Sequence, residues 1–120
     1  RLQASTIAEP GRALIATGLP SMPGEDLERY IGQMRKLMTH TAGLRRPGSA
    51  SLDLAGVACG QFDGFWENRL APWDIAAGIL LVREAGGIVT DLSGTPCAVG
   101  TTSVLAANPA MHPWLLERLR

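Results

Sequence analysis

The sequence predicts a three-layer α/β/α domain, in which helices cover both faces of a mixed or mostly parallel β-sheet. Short β-prone runs alternate with helical segments along the chain, which is typical of sheets whose strands are joined by covering helices. The chain has 120 residues, of which 46% are hydrophobic and 18% charged. This length and composition are those of one folded domain.

The first half of the chain predicts one strand and two helices. The run "ALIATG" at residues 13–18 is short, β-prone and bounded by glycine and proline, as expected for a buried strand. In "GSASLDLAGVACG", a helix is expected with Ser49 as its N-cap and Gly60 as its C-cap. Between them lies a predicted amphipathic covering helix, whose apolar residues recur at helical spacing: Leu27, Tyr30, Ile31, Met34, Leu37 and Met38.

The second half predicts three strands and two helices. "DGFWEN" predicts a turn and a strand, with Phe65 and Glu67 on one face and Trp66 on the other. The helix at about residues 73–85 is apolar almost all the way round, so we expect it to be buried on most sides. "GIVTD" and "SVLAAN" predict two further strands, and a closing helix is expected to begin at Pro109.

Charge, hydropathy and cysteine content argue against several classes of partner. Eleven basic residues balance eleven acidic ones, so there is no surplus of positive charge to attract nucleic acid or anionic lipid. The longest apolar run, residues 75–82, is too short to span a membrane, and no signal peptide opens the chain. Cys59 and Cys97 suit buried thiols in a reducing compartment. A cytoplasmic protein without a membrane or nucleic-acid partner is expected.

Asp74 stands in the first turn of the apolar helix and needs an explanation. One interpretation is a structural cap, because the helix dipole and free N–H groups favour a carboxylate there by about 0.3–1 kcal/mol. The other is a metal ligand. First-turn residues that follow strand ends face the crevice where open α/β sheets bind ligands, and Mg²⁺ takes carboxylate oxygens. The residues by themselves leave both interpretations open.

Two further segments are candidates for the same crevice. Gly48 allows close approach of a ligand, and the N–H groups of Ser49 and Ala50 open a helix, which together make an anion or hydroxyl site. A simple serine N-cap is the alternative. Glu67 ends a strand, where it either presents its carboxylate to a polyol or is solvated at the strand edge.

Other polar residues are interpreted structurally. His40 and His112 lie on or beside amphipathic helices, with no carboxylate or cysteine at ligand spacing, so both are expected at the surface. Asp53 falls within a helix, four residues after Ser49, and is assigned no role. Asp91 begins the "DLSG" turn, where an Asx-turn is sufficient explanation.

Taken together, these segments resemble a known family. The stretch "GSASLDLAGVACGQFDGFWENRLAPWDIAAGILLVREAGGIVTDLSG", continued by "VLAAN", is similar to the C-terminal half of the inositol monophosphatase family. Members of that family are Mg²⁺-dependent, lithium-sensitive phosphatases. The similarity extends over roughly residues 13–108, and the WDxAAGxLLVxEAGG pattern is long enough to be specific.

The resemblance implies a role for each candidate residue. Asp74 matches the aspartate that helps hold a catalytic metal ion, and Glu67 matches the acid that hydrogen-bonds inositol ring hydroxyls. Gly48, Ser49 and Ala50 match a substrate-contacting turn. The implied substrate is an inositol phosphate, with nucleotide bisphosphates or sugar phosphates as alternatives, and the implied assembly is a homodimer. No further catalytic residue is predicted in these 120 residues.

The sequence departs from the family in one respect. Members carry their other metal ligands in an N-terminal half, within a Glu-Glu-Thr-like segment and an Asp-Pro-hydrophobic-Asp-Gly-Thr segment, and neither segment occurs here. One aspartate plus water makes a weak Mg²⁺ site. We therefore expect residues 1–120 to form a single domain that resembles the family's C-terminal half and is inactive alone. The alternative is a stand-alone, non-catalytic binding domain.

Overall fold

The computed structural model confirms the three-layer α/β/α class. It describes residues 2–18, 24–70, 72–97 and 103–120, and the side chains of residues 24–26 and 72–74 also lie outside the description. Within these ranges, helices cover both faces of a five-stranded mixed sheet. The elements in chain order are β1 (Leu14–Thr17), α1 (Gly24–Met38), β2 (Gly43–Arg45), α2 (Ala50–Ala58), β3 (Gly64–Glu67), α3 (Pro72–Glu84), β4 (Ile88–Thr90), β5 (Val104–Ala107) and α4 (His112–Leu119).

The strand order is β2-β1-β3-β5-β4. The strand β1 pairs in parallel with β2 on one side and with β3 on the other, where Thr17 lies opposite Trp66. The last strand, β5, runs antiparallel to both β3 and β4. Since β2 and β3 flank β1, the chain leaves β1 towards one side and returns to the other. This reversal makes the C-terminal end of β1 a topological switch point.

Each face of the sheet has its own pair of helices and its own apolar core. On the α1/α4 face, Trp66 is fully buried in a cluster with Tyr30 and Leu115. On the α2/α3 face, Phe65 is fully buried in a cluster with Leu54. Because successive strand residues point to opposite faces, the predicted alternation along β3 is confirmed.

Local sequence signals set several helix ends as predicted. Ser49 caps α2, and its hydroxyl accepts from the Leu52 N–H at 3.4 Å. Gly60 follows α2 with φ +82°, and Gly86 follows α3 with φ +90°. Glycine adopts this left-handed conformation at little cost, so both helices end before their glycine. The C-cap of α2 is Cys59, one residue before the predicted Gly60.

Two elements differ from the sequence prediction. The three-residue strand β2 is not predicted, because its pairing with β1 holds it in place rather than any β-prone run of its own. The closing helix begins at His112, not at Pro109. The Asn108 side chain accepts from the Met111 N–H at 2.8 Å, so a turn precedes the helix and Pro113 occupies its first turn.

Three predictions of burial are wrong. The helix α3 is not buried on most sides, because it packs on one side against α2 and the sheet and leaves Leu80 59% exposed. Cys59 is exposed, since it follows the last turn of α2, whereas Cys97 is buried as expected. His112 is buried rather than at the surface, and its Nε2 lies 2.8 Å from the Thr90 hydroxyl. His40 is exposed as predicted.

No helix in the part of the chain that the structure describes is long and apolar enough to cross a membrane.

Candidate functional site

Three parallel strands end at the same edge of the sheet and define the candidate site. Thr17, Arg45 and Glu67 are the last residues of β1, β2 and β3, and each strand is followed by a helix that begins at that edge. In open α/β sheets, ligands bind in the crevice outside the carboxyl ends of the strands at the switch point. The fold therefore places the candidate crevice beside the end of β1.

Glu67 lies at this edge with its side chain against Gly18. The residue is only 7% exposed, although it ends a strand. A β-carbon placed on Gly18 would overlap the Glu67 carboxylate, and its three nearest atoms would all belong to that side chain. The carboxyl group therefore occupies space that the missing side chain of Gly18 leaves free. The pKa of Tyr30 is raised, mainly because the residue is buried. The hydrogen bond to Thr17 and the charge of Arg46 lower this pKa, and the charge of Glu67 raises it further.

The turn before α2 has the backbone conformation that the sequence indicates. Gly48 has φ +97°, a left-handed conformation that L side chains rarely adopt. Apart from Gly48 itself and its two chain neighbours, no described atom lies within 4 Å of where its β-carbon would stand, so the glycine is needed for backbone conformation rather than for space. Ser49 caps the helix, and Ala50 is its first residue. The N-cap interpretation of Ser49 is thereby confirmed, and a ligand contact remains a prediction.

Asp74 is the third residue of α3. The helix starts directly after the β3 edge, so the backbone places Asp74 in the first turn at the same edge as Glu67. Its side chain lies outside the described residues. The metal-ligand interpretation therefore stays a prediction.

The described residues do not by themselves form a metal centre. Across residues 2–18, 24–70, 72–97 and 103–120, no group of three or more His, Cys, Asp or Glu side chains could hold a metal ion. A divalent cation such as Mg²⁺ needs several oxygen ligands. A metal ion at this edge would therefore need ligands other than the described side chains alone.

Asp53 is an unusual buried acid that the sequence prediction missed. It is 1% exposed, and neither carboxylate oxygen has a hydrogen-bond partner among the residues that the structure describes. Burial in an apolar environment disfavours the charged form and raises the pKa of Asp53 to about 6. Its spacing from Ala50 and Val57, on the buried side of α2, was the available signal.

A polar network on the α1/α4 face was also missed. The Gln33 side-chain oxygen accepts from the Trp66 indole N–H at 3.1 Å and from the Asn68 amide at 2.8 Å. The Gln33 amide donates to the Leu119 carbonyl at 3.0 Å. Gln33 is 4% exposed, so this side chain joins α1 to the end of β3 and to the end of α4. In the sequence, Gln33 is only a polar residue within the apolar stripe of α1.

The family model described as the inositol monophosphatase family matches residues 3–120. The chain belongs to this family. The inositol monophosphatase match extends nearly from end to end, which confirms the resemblance carried by "PWDIAAGILLVREAGG". Members of the inositol monophosphatase family are phosphatases and are generally metal-dependent.

Curated relatives in the inositol monophosphatase family carry two kinds of name. The chain is 46% identical over 120 residues to the Nus factor SuhB of Salmonella typhimurium, covering 100% of this chain and 45% of that protein. It is 50% identical over 105 residues to the inositol-1-monophosphatase of Rhizobium meliloti, covering 88% and 40% respectively. The chain therefore spans a little under half the length of these relatives.

Solved structures of inositol monophosphatase relatives have the same fold. The extragenic suppressor protein suhB from Bartonella henselae is 42% identical with a TM-score of 0.93, and the match covers 100% of this chain and 46% of that one. The inositol monophosphatase from Anabaena is 38% identical with a TM-score of 0.86, covering 98% and 47%. The fold of residues 1–120 is thus that of one part of a longer relative.

Proposed function

We propose that residues 1–120 are the C-terminal domain of a Mg²⁺-dependent phosphomonoesterase that hydrolyses inositol monophosphate to inositol and phosphate. The observation that carries this proposal is the buried Glu67 carboxylate at the switch-point edge, held against Gly18. A carboxylate at this edge can accept charge-assisted hydrogen bonds from hydroxyl groups. A polyol substrate supplies such donors, and several relatives are named inositol-1-monophosphatase.

Each candidate residue has a proposed role. Glu67 accepts from ring hydroxyls, and the N–H groups that follow Gly48, at Ser49 and Ala50, contact the substrate from the N-terminus of α2. Asp74 provides one carboxylate to the metal, and the remaining ligands come from outside residues 1–120. When bound, Mg²⁺ stabilises negative charge on phosphate oxygens. The isolated domain is therefore proposed to be inactive.

The proposed setting is a cytoplasmic homodimer without a nucleic-acid or membrane partner. Balanced charge supports the absence of nucleic-acid and anionic-membrane partners, because eleven basic and eleven acidic residues give no net attraction to polyanions. Relatives acting on nucleotide bisphosphates or sugar phosphates, and a non-catalytic binding domain, are the alternatives.

A second candidate function is a role like that of the relatives named Nus factor SuhB. Sequence identity does not separate the two candidates, since the chain is 46% identical to one SuhB and 50% identical to one inositol-1-monophosphatase.

The coding sequence upstream of Arg1 tests the enzymatic proposal. A preceding half with a Glu-Glu-Thr-like and an Asp-Pro-hydrophobic-Asp-Gly-Thr segment supports it, whereas a start codon at that point supports a non-catalytic domain.

Asp74→Asn in the full gene product that contains these residues tests the metal role. Asparagine retains a side-chain oxygen that can cap a helix, so a capping role predicts intact activity and stability within about 1 kcal/mol of wild type. Loss of an anionic metal ligand instead lowers kcat by several orders of magnitude while the thermal melt is retained. We expect the second pattern, measured as phosphate release from inositol 1-phosphate against Mg²⁺ concentration.

The matched control is Glu84→Gln, which removes an exposed acid from the same helix. It should change neither the melt nor the Mg²⁺ dependence. An Asp74→Asn protein that melts and turns over like wild type at ordinary Mg²⁺ would show that "PWD" is only a helix start.

A further inference from the structure

We propose that Gly18 is a positioning residue that sets where the Glu67 carboxylate lies and thereby the preference of the site for polyol phosphates. This inference rests on the proposed function, because it takes Glu67 to be the polyol contact. The "ATGLP" segment contains no sequence signal for such a role. The inference comes from the geometry at the end of β1.

The three atoms nearest to where a β-carbon of Gly18 would stand all belong to Glu67. A β-carbon on Gly18 would overlap Oε1 of Glu67, would lie 2.6 Å from its Cδ and 3.3 Å from its Cγ. Real β-carbons do not approach heavy atoms this closely, so alanine at position 18 must move the carboxyl group. Gly18 is not among the glycines with positive φ. The glycine is therefore needed for space and not for an unusual backbone conformation.

The backbone around Glu67 is held from the other side of the sheet. The Thr17 hydroxyl donates to the Trp66 carbonyl at 3.0 Å, and the Tyr30 hydroxyl donates to Thr17 at 3.1 Å. Gln33 accepts from both Trp66 and Asn68, which are the two neighbours of Glu67 in the chain. Backbone shifts at this position are thus opposed by several buried hydrogen bonds.

These two features together make the effect of a Gly18 substitution local. The atom that would be displaced is the far end of a flexible side chain, which can rotate away, while the strand that carries it cannot easily move. We therefore expect Gly18→Ala to leave the domain folded and to shift the carboxylate out of the crevice. A displaced carboxylate loses its charge-assisted hydrogen bonds to a polyol.

The experiment compares substrate preference in the full gene product. The measured quantity is the ratio of kcat/KM for inositol 1-phosphate to kcat/KM for 4-nitrophenyl phosphate, which has no polyol hydroxyls. Glu67→Ala and Gly18→Ala should each lower this ratio by about tenfold or more, because sites built to bind hydroxyl groups discriminate strongly. The double variant should fall no further than Glu67→Ala alone, since the glycine then has no side chain to position.

The matched control is Gly32→Ala, the same chemical change one residue from Gln33. Apart from the neighbouring residues and backbone of α1 itself, no described atom lies within 4 Å of a β-carbon at Gly32, so the ratio should stay at the wild-type value. A second readout is the ¹³C resonance of the Glu67 carboxyl group, assigned by its absence in Glu67→Ala. It should move in Gly18→Ala and stay in place in Gly32→Ala.

The outcomes separate the inference from the proposed function. A fall in the ratio for Glu67→Ala without one for Gly18→Ala overturns the positioning role alone. An unchanged ratio for Glu67→Ala overturns the polyol contact and, with it, the inference. A Glu67 carboxyl resonance that does not move in Gly18→Ala overturns the inference whatever the kinetics show. If Gly18→Ala fails to fold, restoration of folding by Glu67→Ala supports the inference, and continued misfolding overturns it.

Discussion

The α1/α4 face of the sheet buries hydrogen-bonded polar side chains, whereas the α2/α3 face also buries an acid that has no partner among the described residues. On the α1/α4 face, Gln33, Tyr30 and His112 are buried, and each lies within hydrogen-bond distance of a partner. On the α2/α3 face, Asp53 is buried with no partner among the described residues. Hydrogen-bonded burial supports a fold, whereas an unpartnered carboxylate opposes it. The hydrogen-bonded groups of the first face therefore support the stability of the domain, whereas Asp53 on the second face costs stability.

Glu67, at the end of β3, is in contact with both faces: its backbone is held from one, and its side chain lies on the other. Its chain neighbours, Trp66 and Asn68, are hydrogen-bonded to Gln33 on the α1/α4 side. Its own side chain, two residues after Phe65, belongs to the α2/α3 side by strand alternation. A strand end that is held by hydrogen bonds on one face of the sheet can thus carry a carboxylate that lies on the other face.

The largest change in the free energy of unfolding is expected when the hydrogen-bond network of the α1/α4 face is broken. Gln33→Leu leaves the Trp66 N–H and the Leu119 carbonyl buried without their partner. Each such group costs about 1–3 kcal/mol, so we expect the free energy of unfolding to fall by about 4 kcal/mol. Urea unfolding of the 120-residue chain measures it. Gln61→Leu, at an exposed position, is the control and should stay within about 0.5 kcal/mol of wild type. Equal losses of stability for Gln33→Leu and Gln61→Leu would show that the buried hydrogen bonds of Gln33 do not stabilise the domain.

A somewhat smaller change in the free energy of unfolding is expected for Asp53→Asn, and here the variant is expected to gain stability. Its pKa rises from 3.8 in the unfolded chain to about 6 in the folded one. The folded state then holds the proton more tightly, so Asp53 lowers stability progressively as pH rises from about 4 to about 6. A shift of about two units corresponds to about 3 kcal/mol. Asp53→Asn cannot ionise, so above pH 6 it should be more stable than wild type by up to this amount.

The measurement is the difference in free energy of unfolding between Asp53→Asn and wild type at several pH values. Burial also lowers the pKa of His112, which makes folding less favourable as pH falls below 6.5, but this contribution cancels in the difference. Glu28→Gln, at an exposed position, is the control, and its free energy of unfolding should stay within about 0.5 kcal/mol of wild type. A difference that does not change between pH 4 and pH 7 would mean that Asp53 is not an unpartnered buried acid.

The smallest effect is expected on the outer side of α3. Leu80 is 59% exposed, so Leu80→Gln removes little buried area and should change the free energy of unfolding by less than about 0.5 kcal/mol. Leu54 is fully buried on the same face of the sheet, and Leu54→Ala should cost about 2–5 kcal/mol. Thermal or urea melts of both variants test the assignment. A large loss for Leu80→Gln would contradict the exposed position of this residue.

Local signals in the sequence determined the fold class, the three-layer arrangement and most element positions. Glycines at the ends of α2 and α3, the Ser49 cap and the alternation along β3 each act within a few residues, and such signals can be identified in one dimension. They also pointed to the strand end that carries Glu67 and to the helix turn that carries Asp74. The family resemblance, confirmed over residues 3–120, came from the same stretch.

Tertiary structure alone decided the strand order, the short strand β2, the exposure of α3 and the burial of His112. It also brought Gly18 against Glu67, 49 positions apart along the chain, and joined Gln33 to Trp66 across the sheet edge. The physical reason is that these properties depend on which elements become neighbours. Sequence periodicity specifies that a helix has an apolar face, but how much of that face is covered, and which polar group meets a partner there, follows only from packing.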